Sequence, residues 1–191
     1  SDMDLTADIL NAALATSIAL EDNTSITVAP IVALNRGSSA AEAQILNAPT
    51  VETATGNVSV SAIDTSFIHA ENIAASASIA VGTGKSLSVA VATSIARNTL
   101  RNTVDAGIAS SGVEATTGEI ALIASRDGVI ESTAAAVAAS VSGAADGNAV
   151  GVSVGGAVAV NRLFGGAEAS IVDSDLVANS VSIQAESVSR I

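Results

Sequence analysis

The chain has 191 residues and carries 19 acidic against 7 basic side chains, a net charge of −12; such a field disfavours nucleic acid and anionic membrane surfaces, and no run reaches the ~18–20 apolar residues of a spanning helix, so membrane insertion is not expected. Hydrophobic residues reach 49% but include two Phe and no Trp or Tyr, so a globule filled by aromatic side chains is excluded and thin, closely approaching layers are expected. The absence of cysteine excludes disulfides, thiolate metal sites and thiol nucleophiles together.

In chain order, Ser1-Asp2-Met3 reads as a cloning remnant ahead of a partial strand, residues 1–9. The first clear alternation follows, with Ile26, Val28, Val32 and Leu34 set against Ser25, Thr27, Ala29 and Ala33, interrupted at Pro30-Ile31. Val58 to Ala62 predicts a shorter strand, and Ile73 to Val81 another. Gly82-Thr83-Gly84-Lys85 is turn chemistry. Beyond it Leu87, Val89, Val91, Thr93 and Ile95 alternate with Ser86, Ser88, Ala90, Ala92, Ser94 and Ala96. A corner is expected near Asn98, then a short strand at Val104 to Ile108, a turn at Ser110-Ser111-Gly112 and a strand at Ile120 to Ala124. After the turn Ala145-Asp146-Gly147-Asn148, Val150, Val152, Val154, Val158 and Val160 share one face of another strand. Val181 to Ala185 predicts the last. Period 2 held over about a dozen residues is strand and not helix.

These elements repeat. Asn35, Asn98 and Asn161 are evenly spaced, since 98 − 35 = 63 and 161 − 98 = 63, and the same offset links Val28, Val91 and Val154. It also links Ala33 with Ala96 and Ala159, Ala43 with Ala106 and Ala169, and Ile45 with Ile108 and Ile171. Acids recur in register as Glu42, Asp105 and Glu168. The units run over residues 10–72, 73–135 and 136–191, the third truncated, and the fourth strand of each slips by one or two residues.

The expected fold is all-β, an elongated array of three 63-residue units of β-solenoid or β-helix kind. Long antiparallel hairpins forming stacked sheets, or a trimeric β-prism, are the alternative. In the solenoid reading one repeat would make about three rungs of common length, which places copies of one residue ~14 Å apart at the usual strand spacing. The acids would then be too distant to share a cation, and only an oligomer axis would gather Glu42, Asp105 and Glu168. Calcium would be the ion there. The plainer reading is acids that are solvated or paired with Arg36 or Arg162. The repeated asparagines are expected to serve a corner, or to form a ladder where rungs stack.

The run Ala157-Val158-Ala159-Val160-Asn161, then Ala167-Glu168-Ala169-Ser170-Ile171, Ser174, Val177 and Val181-Ser182-Ile183-Gln184-Ala185 resembles repeat regions of very large secreted bacterial proteins of the haemagglutinin-like and adhesin-like kind. The resemblance implies an extracellular or cell-surface setting and a role as stalk, adhesin or matrix component. Its partners would be neighbouring repeats, further copies of the chain, or a surface or glycan ligand. The calcium-binding nonapeptide G-G-x-G-x-D of many such proteins does not occur, so calcium-driven folding is not implied.

Catalytic chemistry has little support. His69 is the single histidine and no serine sits in a G-x-S-x-G elbow. It reads as a surface or packing residue, and one His with no Cys suggests no transition-metal cluster. For a β-helix lyase, Asp105 with Arg101 or Arg126 are the candidates, but only Phe67 and Phe164 could hold a sugar ring. Gly56 and Gly118 read as turn glycines. No aromatic girdle supports an outer-membrane barrel, and isolated pairs such as Thr53 and Thr55 make no ice-binding ladder. The expected function is a non-catalytic structural and interaction module without cofactor. A calcium- or glycan-binding adhesin module is the alternative, and a β-helix carbohydrate enzyme ranks below it.

Overall fold

A computed structural model describes residues 2–191. It is all-β, with eight strands: β1 (Asp2–Ile18), β2 (Asn23–Leu46), β3 (Val51–Thr53), β4 (Val58–Gly82), β5 (Ser86–Ala109), β6 (Gly112–Ala144), β7 (Ala149–Val172) and β8 (Asp175–Arg190). One sheet runs β1-β4-β6, with β3 and β8 also on β6, and the other runs β2-β5-β7. Every pairing is parallel. This is a β-solenoid, and the antiparallel-hairpin alternative does not describe it.

The register corrects the rung count. Val28 pairs with Val91 and Val91 with Val154, so one repeat is one coil and not three rungs. A strand of 24 residues such as β5 spans about 80 Å at the parallel rise, and each coil is a flat loop of two such strands. The four strands expected per unit are segments of these two. What reads as a corner at Asn98 and a short strand at Val104 is continuous β5.

The actual corner lies further on, at Ser110. Asn47, Ser110 and Asp173 have φ of 52°, 49° and 47° and occupy one and the same repeat position in successive coils. Asn and Asp are the side chains that most readily tolerate left-handed backbone. The expected slip is real as well. The offset is 63 from β1 to β4 and 62 from β4 to β6, and from β6 to β8 it falls from 63 to 61 across a bulge between Ala115 and Glu119. Pro30 sits within β2, an edge strand, where a missing N–H is tolerated.

Side-chain alternation decides what lies between the sheets. Even-numbered residues of β5 point inward, and the small ones come first: Ser86, Ser88, Ala90, Ala92, Ser94 and Ala96 are buried. Serines there bridge the two sheets, since Ser78 Oγ donates to the Ser25 carbonyl at 2.9 Å and Ser88 Oγ to the Ser78 carbonyl at 2.7 Å. The thin layer expected from composition is therefore one half of the coil. The other half holds a conventional core of Val60, Val104, Ile108, Val113, Ile120 and Leu122. Between the halves Ile68, Leu100 and Ile130 pack together.

The thin half turns its bulky residues outward. Val32 and Leu34 on β2 are 63% and 70% exposed, and Val152, Val154 and Val158 continue the band on β7. The opposite sheet shows Leu10, Leu14, Ile18, Val137 and Val141. Both outer faces of this half are apolar.

Candidate functional site

The repeated asparagines form an internal ladder, not a corner. Asn35 Nδ2 donates to Asn98 Oδ1 at 2.8 Å, and Asn98 Nδ2 donates to Asn161 Oδ1 at 2.8 Å. Parallel in-register stacking places like residues side by side, so each amide serves as acceptor for one neighbour and donor to the next. Asn98 is fully buried. Asn98→Ala should cost about 1–3 kcal/mol, because it orphans amide groups on both neighbours. Urea unfolding of the two proteins checks this.

Further along the same interior a charged group is buried between the sheets. Asp64 pairs in register with Arg126, and Arg126 with Ser187. Both Asp64 and Arg126 are buried. Asp64 Oδ2 accepts from Ser39 Oγ, Ser66 Oγ and Asn102 Nδ2, each at 2.9 Å. Arg126 Nε donates to Asn102 Oδ1 at 2.5 Å, and its Nη1 donates to Ser187 and Ser189 Oγ at 2.9 and 3.0 Å. Asn102 thus links the carboxylate to the guanidinium. Burial pushes the Arg126 pKa below its ordinary value, and Asp64 and then Asp127 oppose that shift.

This placement separates the candidate catalytic set. Arg126 faces the interior, whereas Asp105 and Arg101 lie on the outer face of β5, so no cleft joins Asp105 to Arg126. Arg101 instead sits over the Phe164 ring, 5.7 Å from its centroid. Phe67 lies on the other sheet and stacks on His69 with ring centroids 6.3 Å apart. Gly56 has φ 130° and lies in the bend before β4, in keeping with a turn role, whereas Gly118 is not a turn glycine but lies within β6, close against the Gly56 carbonyl.

The recurrent acids are direct neighbours, not three rungs apart. Glu42 pairs with Asp105 and Asp105 with Glu168 on the outer face, so one chain aligns them without any oligomer axis. Gln44 Nε2 donates to Asp105 Oδ2 at 3.1 Å. Among the described residues, neither Arg36 nor Arg162 forms an ion pair with them. Their oxygens do not converge on one point. Among the described residues the group of three whose ligand atoms do converge is Asp8, His69 and Glu71. The sequence reading missed it, although Asp8 and Glu71 are equivalent positions of successive coils and His69 and Glu71 share a strand face.

No family model matches the chain, and the searches of curated proteins and of solved structures returned no match.

Proposed function

We propose that this chain is a non-catalytic structural and interaction module, whose coils stack on like coils to extend a secreted or cell-surface bacterial protein as a stalk or adhesin segment. The observation that carries this is the pair of open edges. β2 and β7 are each 24 residues long and pair on one side only, and each presents the same register that joins β2 to β5 and β5 to β7. An edge of that length is a template for another strand. A further coil at offset 63 matches it residue for residue and would extend the asparagine ladder from Asn161. The compartment is supported by the resemblance of the Ala157–Ala185 stretch to secreted repeat regions.

The same contact between chains is heterologous and does not close, so it would build rods and not a fixed small oligomer. Sedimentation velocity across a concentration series should therefore show elongated species that grow end to end. A compact monomer at every concentration would overturn the reading. The outer apolar bands widen by one strand spacing per coil, so lateral association should strengthen as coils are added.

A further inference from the structure

We infer that Asp8, His69 and Glu71 form a binding site for one divalent transition-metal ion of the zinc class, on the outer face of the β1-β4-β6 sheet. Two rows of paired residues build it: Thr6, His69 and Glu131 in one, Asp8, Glu71 and Thr133 in the next. One ligand atom from each of Asp8, His69 and Glu71 lies within 4.8 Å of the others. Ligands of a tetrahedral zinc ion at about 2.0–2.2 Å stand about 3.4 Å apart. Closing the set therefore needs only an ångström or so of side-chain movement, on side chains that are partly or fully exposed.

The electrostatics ask for a cation there. Asp8 and Glu71 stand directly opposite each other on neighbouring strands, and like charges so placed are destabilising. Among the described residues neither has an ion pair with Lys or Arg. One imidazole nitrogen with two carboxylates is a donor set for zinc-class ions, whereas calcium takes oxygen ligands alone.

His69 is also oriented for the task. Its Nδ1 lies 3.5 Å from Glu131 Oε2 on β6, while Asp8 is on β1 at the opposite side of β4. With an ion on Nε2, Glu131 beside Nδ1 would serve as the outer-shell carboxylate common to metal-binding histidines. Phe67 lies beside His69 on the same strand face, its ring nearly parallel to the imidazole. Ile9, Leu10 and Ile73 line an open concave surface beside Asp8 and Glu71. Asp8 belongs to one coil and the other two ligands to the next, so a bound ion clamps two successive coils.

The test is zinc titration of chelator-treated protein by calorimetry, with cobalt(II) as a spectroscopic probe and circular dichroism confirming that each variant folds. The expected result is one ion per chain and a rise in Tm with zinc but not with calcium. His69→Ala should weaken binding at least about tenfold, and Glu131→Gln by about 10–100-fold, the usual effect of losing an outer-shell partner. Glu71→Gln, which keeps shape and removes charge, should abolish the zinc-dependent rise in Tm. Asp105→Asn, in the acid ladder of the other sheet, should leave binding unchanged. The proposal is overturned by the absence of saturable zinc binding, by affinity unchanged in His69→Ala, or by loss of binding in Asp105→Asn.

Discussion

Arg126→Met should destabilise the protein by about 3–5 kcal/mol, the cost of removing one partner from a buried charged pair. The side chain fills a position between the sheets and supplies the cation opposite Asp64 in the ladder. Its loss leaves the Asp64 carboxylate in a low-dielectric interior with hydroxyl and amide donors but without the guanidinium. It also removes the donors to Ser187 and Ser189 that tie β6 to β8. The double variant Arg126→Met/Asp64→Leu should recover part of the loss, since replacing both charges with apolar groups is often neutral. Urea unfolding of wild type, single and double variants measures it. A single variant within about 1 kcal/mol of wild type would show that the cluster contributes little.

Gly165→Val should cost about 2–4 kcal/mol, from backbone strain of about 1–3 kcal/mol and a ladder hydrogen bond of about 1. Gly165 has φ 126°, a region that L side chains rarely adopt. A Cβ placed there would come within 1.6 Å of the Asn102 carbonyl oxygen, its own in-register partner. The neighbouring strand cannot yield without shifting Asn102, which bridges Asp64 and Arg126. Gly156→Val serves as comparison, because a Cβ at that position meets nothing within 4 Å and the change should be nearly silent. Thermal melts of the two variants give the contrast, and equal melting temperatures would contradict this account of Gly165.

The amino-acid pattern carried the repeat and the strand alternation, because like residues at 28, 91 and 154 recur at one offset and period 2 is plain on either side of them. It could not say how many rungs one repeat makes. A period counts residues per repeat and is silent on where the chain turns. Asn98 reads as a break because a polar residue there interrupts an apolar run, yet it keeps the inward parity of Ala96, Leu100 and Val104. The true corner is the turn expected at Ser110-Ser111-Gly112, and Asn47 and Asp173, both left-handed-tolerant types, mark it at the same repeat position as Ser110. Arg126 follows Ile120, Leu122 and Ala124 at even spacing, so its burial was also legible from parity. The Asp8, His69 and Glu71 group was hidden for the opposite reason. Its histidine does not recur from coil to coil: His69 faces Thr6 on one side and Glu131 on the other. A search for repeats passes over it.

The central claim is that one repeat is one coil. Because the chain lacks cysteine, paired cysteines test it cleanly. A disulfide requires Cα atoms within about 7 Å, and residues directly paired on neighbouring strands meet that. Thr93→Cys/Gly156→Cys, one full repeat apart and in register, should form an intramolecular disulfide under mild oxidation, seen as the mass loss of two hydrogens in the monomer. Thr93→Cys/Glu114→Cys, the neighbours that three rungs per repeat would create, should remain reduced. Bridging of the second pair with none in the first would contradict the one-coil register and restore three rungs per repeat.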